Sequence, residues 1–172
     1  MTLQGKNIIL RALEPEDIDW LFQIENDATL WEISNTQQPY SRDLLQRYIA
    51  QAHQDIYTAK QLRLVIVYKE IPVGIVDIFD FDPQHHRAGL GILVLPEFQS
   101  QGYASEALEI VINYAFSKLQ MHQVYANITS DNYKSIALFE KLGFELVGNK
   151  EEWIYTPKSY KDELLFQKLN RQ

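Results

Sequence analysis

Within the 172-residue chain, the residues best suited to chemistry are Gln99-Ser100-Gln101-Gly102-Tyr103-Ala104, inside the stretch 90–118. There an apolar strand passes through a short polar loop with one glycine into a long amphipathic helix. A helix starting in this way presents several backbone N–H groups with no intrahelical partner, and its dipole adds partial positive charge. An anion, most naturally a phosphate, fits such a junction. A second candidate is Asp77, which interrupts the apolar run Gly74-Ile75-Val76-Asp77-Ile78-Phe79. An inward carboxylate there is costly unless it bonds a partner or a substrate cation. The alternative is a carboxylate at a sheet edge or satisfied by backbone donors. His85 and His86 are adjacent and on an extended chain face opposite ways, so they read as loop residues rather than a metal pair. His122, at the start of a strand, reads as structural, and no metal is expected.

The elements that must position these residues follow from apolar spacing and turn chemistry. Residues 7–13 are β-prone, and Glu14-Pro15-Glu16-Asp17 supplies a helix start leading to about Glu25. Residues 26–40 are irregular, with turn-like Ser34-Asn35 and Pro39-Tyr40, and suggest a substrate-facing loop. Ser41 then offers an N-cap for a helix continuing to about Ala59. Strands 62–68 and 73–81, joined through Lys69-Glu70, read as an antiparallel hairpin, with a third strand at 88–95. The next helix carries one apolar stripe, Ala104, Ala107, Leu108, Val111 and Ala115. A strand at 121–129 follows. Asn132 caps a short helix to Lys141, Gly143 stops it in the left-handed conformation, and a strand covers 144–147. Residues 151–169 fit a final hairpin around Pro157. The order βααβββαβαββ implies an α/β (α+β) fold, a mixed and mostly antiparallel central sheet with helices on both faces.

Length and composition bound the possibilities. The chain suits a single domain, 1–172, and is too short to expect two. Apolar residues make up 46% and charged residues 23%, values ordinary for a soluble protein, and no apolar run approaches bilayer length. No secretory leader is evident at the start, so a cytoplasmic location is expected. The absence of cysteine excludes disulfides, thiolate metal sites and a cysteine nucleophile. A net charge of −7 argues against a nucleic-acid binder and would suit a cationic substrate, although solubility is the simpler reading. No membrane partner is expected. The glycine patterns of dinucleotide folds and P-loops are absent.

The segment Gln99-x-x-Gly102-x-Ala104, opening a helix after a strand, resembles the cofactor motif of the GCN5-related N-acetyltransferase (GNAT) superfamily. The downstream pattern Asn132-x-x-Ser135-x-x-x-Phe139-Glu140-Lys141-x-Gly143-Phe144 strengthens the resemblance. Within the superfamily the chain looks similar to the branch of ribosomal-protein N-terminal and spermidine or diamine acetyltransferases, judging also from His85-His86-Arg87, Tyr114-Ala115-Phe116 and Met121-His122. The resemblance implies a GNAT-like acyl-CoA N-acyltransferase fold with acetyl-CoA as cosubstrate. It assigns the pyrophosphate to backbone N–H groups of Gln101, Gly102, Tyr103, Ala104 and Ser105 behind Gln99. Pantetheine would bond Leu93 and Val94 where that strand splays from its neighbour, Asn132 would meet the cofactor arm, and Phe139 would lie near the thioester; Ser135 is either a cofactor ligand or a hydrogen-bonding residue of its helix start.

It further implies direct transfer of acetyl to a primary amine, be it a protein N-terminal α-amine, a polyamine or another small amine. An alkylammonium near pKa ~10.4 sheds its proton at about pH 7 for roughly 4 to 5 kcal/mol, an α-amine near ~8 for about 1. Asp77 leads as general base, with Asp80, Glu25 or ordered water as alternatives. The place of a general-acid tyrosine in the family is held by Phe139, which has no ionisable proton; Tyr133, Tyr155, Tyr160 or water are the candidate donors. Trp31, Asp80 and His85 are candidate acceptor contacts, and Tyr40 and Trp153 either line a pocket or pack. The rival reading, motivated by Phe139, is a CoA-binding sensor or interaction module with weak chemistry. A homo-oligomer formed through the C-terminal strands is compatible with both.

Overall fold

A computed structural model describes residues 3–34 and 36–171, so Asn35 of the expected turn lies outside the described residues. The chain opens with a small hairpin, β1 (Leu3–Gln4) and β2 (Ile9–Ala12). A 3-10 turn at Pro15–Asp17 leads into α1 (Ile18–Glu25). Residues 26–40, expected to be irregular, contain a 3-10 turn (Ala28–Leu30) and the one-turn α2 (Trp31–Ser34). Ser41 caps α3 (Arg42–Gln51), its hydroxyl accepting from Leu44 N at 3.1 Å. The expected single helix to residue 59 is interrupted. Asp55 starts a new cap for α4 (Ile56–Ala59), and Lys60 ends it at φ +59°.

The meander β3 (Leu62–Tyr68), β4 (Ile71–Asp82) and β5 (Arg87–Val94) follows. Lys69 and Glu70 take φ of +46° and +67°, the geometry of a two-residue hairpin turn whose twist matches the strands. Then come α5 (Tyr103–Ser117), β6 (Gln123–Thr129) and α6 (Tyr133–Lys141). The last pair is β7 (Glu145–Tyr155) and β8 (Tyr160–Leu169). The strand expected at 144–147 and the first arm of the hairpin expected from 151 are therefore one strand, bent by register shifts at Leu146/Gly148 and Lys150/Ile154. Such bulges strengthen local twist without ending the pairing.

Among the described residues the eight strands form one sheet in the order β1-β2-β3-β4-β5-β6-β8-β7, antiparallel except for β5 beside β6. One face is covered by α5 and α6, with Leu108, Val111 and Phe139 packed on Ile66, Val76 and Val124. The other is covered over β3 and β4 by α1 and α3, where Leu21, Ile24, Leu45 and Ile49 pack on Val65 and Ile75. This is the expected mixed, mostly antiparallel α+β architecture with helices on both faces. Among the described residues no helix is long and apolar enough to cross a membrane.

Candidate active site

The junction between β5 and α5 is built by its side chains folding back. Gln99 Nε2 donates to Val94 O at 3.1 Å, pinning the loop to the strand end, and Tyr103 OH donates to Gln101 Oε1 at 3.1 Å. The Tyr103 ring is buried against Tyr68, 4.8 Å between centroids. Gly102 is the N-cap of α5 at φ +86°, and a Cβ there would meet nothing within 4 Å. The glycine is therefore required by its left-handed backbone, which costs other residues about 1 to 2 kcal/mol, and open space lies in front of it. The first bond of the helix is Glu106 N to Gly102 O at 3.1 Å. The N–H groups of Gly102, Tyr103, Ala104 and Ser105 precede it and have no intrahelical partner.

Beside this junction the sheet is open. β5 and β6 pair in parallel only at Arg87↔Gln123, Ala88↔Val124 and Gly89↔Tyr125. From Leu90 to Val94, β5 remains paired with β4 on one edge, while its other edge has parted from β6. Backbone donors and acceptors along Leu90–Leu93 thus face a cleft. A cavity of about 740 Å³ lies on the side of the sheet that faces α1 and α3, bounded by Gly91, Leu93 and Asn127 at the cleft and by Tyr40, Leu44 and Tyr48 across from it.

On the cavity wall Arg63 of β3 stands directly across from Asp77 of β4. Its Nε donates to Asp77 Oδ1 at 2.8 Å and its Nη2 to Oδ2 at 3.0 Å, while Nη1 donates to Glu25 Oε1 at 2.8 Å. Desolvation by burial disfavours the Arg63 cation, but the Asp77 and Glu25 carboxylates more than offset it and raise its pKa above the ordinary value. Two carboxylates and one guanidinium leave the cluster with one net negative charge. Burial raises the Tyr48 phenol, as do Asp77 and Glu25, with Arg63 opposing, so Tyr48 stays neutral beside the cluster.

The sequence model of the acetyltransferase (GNAT) domain matches residues 7–145, most of the chain. The chain belongs to the GNAT family. Among curated relatives, the spermidine N(1)-acetyltransferase of Escherichia coli K12 is 25% identical over 158 residues, covering 92% of this chain and 83% of the relative. A prophage-derived uncharacterized N-acetyltransferase of Bacillus subtilis is 29% identical, covering 94% and 89%. The putative ribosomal N-acetyltransferase of the same organism is 25% identical, covering 98% and 94%. Among solved structures, the Vibrio cholerae spermidine N-acetyltransferase in complex with CoA and spermine superposes with a TM-score of 0.85, at 24% identity and 96% coverage of each chain.

The GNAT fold implies acetyl-CoA as the bound group, and the free N–H groups with open space at Gly102, together with the parted edge of β5, suit its pyrophosphate and pantetheine. Other residues singled out by the GNAT pattern have the following places. Leu93 lines the cavity, while the Val94 side chain is buried and its carbonyl holds Gln99. Asn132 caps α6, its Oδ1 accepting from Ser135 N at 3.2 Å, so both residues stand at that helix start. Phe139 is 2% exposed, with its ring perpendicular to Phe144 at 5.0 Å, and lines neither this cavity nor the one described next. Asp77 and Glu25 are brought together, as described.

Asp80 is elsewhere. It sits at φ +46° in the β4 bulge and lines a second cavity of about 440 Å³ with Asp82, Arg87 and Tyr125. The Phe79 ring of the first cavity meets Tyr125 of the second edge-on at 6.0 Å, marking their boundary. Trp31 donates from Nε1 to Glu25 O at 2.9 Å, tying α2 to the end of α1. His85 is exposed in the β4–β5 turn, bonded through its backbone to Asp82, and His122 is likewise exposed. Tyr133, Tyr155 and Tyr160 are 76%, 72% and 57% exposed and line neither cavity, so none is brought to Asp77. Sequence reading passed over Arg63, Tyr48 and Asn127. A cation inside the apolar run Leu62-Arg63-Leu64-Val65 was the available signal for the first.

Proposed function

We propose that the protein is an acetyl-CoA-dependent N-acetyltransferase that transfers acetyl directly to the primary amine of a small cationic acceptor, a polyamine above all. The observation that carries this reading is the Arg63–Asp77–Glu25 cluster on the wall of the cavity that opens onto the parted edge of β5. Its single net negative charge favours an ammonium, and the apolar remainder contributed by Ile75, Leu45 and Leu93 suits a methylene chain. The spermidine acetyltransferases among the relatives support the same class of acceptor.

The bound cosubstrate supplies an activated acetyl thioester. The residues of the chain must then hold the acceptor and take its proton. Attraction of an ammonium by the cluster also stabilises the protonated amine, which opposes attack, so a proton acceptor is needed beside it. Both Asp77 oxygens are held by Arg63, whereas Glu25 is held through Oε1 alone. Glu25 is accordingly the group better able to accept the proton, directly or through water, with Asp77 and Arg63 fixing its position. Phe139 donates no proton, and a thiol leaving group with a pKa of about 8.5 departs as thiolate without one.

Calorimetric titration with acetyl-CoA, followed by a free-CoA release assay on spermidine, spermine, diamines and an α-amino peptide, tests the proposal. Binding with turnover on the polyamines is expected. Absence of binding at millimolar cofactor would overturn the enzyme assignment, and turnover on the peptide alone would overturn the acceptor. Tight binding without turnover on any amine would favour the second reading, a CoA-binding module, which rests on the buried Phe139.

A further inference from the structure

Glu106 lies in the first full turn of α5, three residues after Tyr103, and its half-buried carboxylate is engaged by hydrogen bonds from another element. It reaches the turn between β1 and β2. Oε1 accepts from Asn7 N at 2.7 Å and from Ile8 N at 3.3 Å, and Oε2 accepts from Asn7 Nδ2 at 2.9 Å. The turn is itself closed by Gly5 N donating to Ile8 O at 2.8 Å. Gly5 is the point of closest approach, since a Cβ there would stand 2.2 Å from Glu106 Oε1 and 2.9 Å from Ile110 Cδ1. Burial works against the Glu106 charge, yet the Asn7, Ile8 and Lys6 donors prevail and hold its carboxyl below the usual range. Glu106 is thus a saturated anion at the end of the helix whose free N–H groups face the open space at Gly102.

We infer that Glu106, seated on the Gly5–Ile8 turn, is a positioning residue for the cofactor loop. Its bonds fix the first turn of α5 against the N-terminal hairpin, and with it the direction in which the N–H groups of Gly102, Tyr103, Ala104 and Ser105 point. Gly5, distant in sequence, belongs to the same device because only a residue without Cβ lets the turn close over the carboxylate. The inference rests on the reading of that helix end as the acetyl-CoA site.

The test is calorimetry with acetyl-CoA on the full chain, with thermal melts alongside. Glu106→Ala and Gly5→Ala are each expected to weaken acetyl-CoA binding about ten-fold, given the strength of hydrogen bonds to a charged group. Glu106→Gln, which keeps an acceptor, should fall between them and the parent. Because both substitutions break one contact, the double variant should bind no more weakly than the worse single one. Ile112→Val, a core truncation farther along α5, provides the structural control, with a lowered melting temperature and unchanged affinity. Unchanged affinity in Gly5→Ala and Glu106→Gln, whatever their melting temperatures, would overturn the inference, as would additive losses in the double variant. If the parent itself binds no acetyl-CoA, the cofactor reading falls and this inference with it, whereas a failure confined to the variants leaves that reading standing.

Discussion

At the scale of single residues, the pairing of Arg63 with Asp77 decides what the cavity can do. Both side chains are more than two-thirds shielded from solvent, so their bonds are not screened as surface pairs are. Replacing Asp77 by Asn removes the charge and turns an amide donor toward a guanidinium that can only donate. Asp77→Asn is expected to cost about 2 kcal/mol of stability, read by urea denaturation, because one charged hydrogen bond is lost. It should lower kcat/KM for the amine at least ten-fold while leaving the dissociation constant of acetyl-CoA unchanged. Sequence alone reveals Gly102 and Asn132, because a left-handed glycine and a capping asparagine are local demands. It does not reveal that Arg63 faces Asp77. Counting back from the two-residue turn at Lys69-Glu70 sets Arg63 across from Val76, and the bulge between Ile66 and Val67 shifts the register by one residue. A one-residue shift moves a side chain to the other face; Pro72 and Gly74 flank the extra residue, Val73, and mark a bulge without fixing which pairing it shifts.

Among the elements, α3 shows how a local signal serves the site. Its Ser41 cap fixes the start of a helix whose Leu44, Leu45 and Tyr48 border the cavity. Ser41→Ala is expected to destabilise the protein by about 1 kcal/mol, a fall of about 3 °C in melting temperature for a chain of this size. Acetyl-CoA affinity should not change, since α3 lies across the cavity from the loop. The existence of nearly every element was legible from apolar spacing, and the errors fall at boundaries. The helix expected to run through residue 59 breaks because Asp55 accepts from Thr58 N at 3.0 Å, a local bond that competes with helix continuation. Residues 148–150 read as a gap because their polar composition hides a bulged edge strand, whose hydrogen bonds come from β8 rather than from a buried face. The brief pairing of β5 with β6, which makes the cleft, is implied by the GNAT resemblance but has no signature in apolar spacing, because parallel partners meet only after the whole α5 crossover.

For the molecule as a whole, Asp17 is the one buried carboxylate among the described residues. It joins β2 to the start of α1 through two bonds to Arg11, at 2.7 and 2.8 Å, and accepts from Glu14 N at 2.8 Å. The Arg11 bonds, opposed by burial and reinforced by the Glu14 N–H, hold the Asp17 carboxyl below its ordinary value. A carboxyl depressed by folding contributes stability that is complete above its unfolded value and is lost as pH falls through its folded one. Urea midpoints measured from pH 7 downward should therefore decline below about pH 4, and Asp17→Asn should flatten part of that decline.

The sheet's one parallel seam also bears on how the chain is made. The residues that cover β3 and β4 on the α1 and α3 side all lie between Leu13 and Leu95, so that face has its cover as soon as the fifth strand has been synthesised. The opposite face waits for α5, and the last three strands join through a contact only three residue pairs long. A ribosome extending this chain thus releases a half-sheet sealed on one side and bare on the other. α5 is the next segment to emerge, and its apolar stripe is the cover that the bare side lacks.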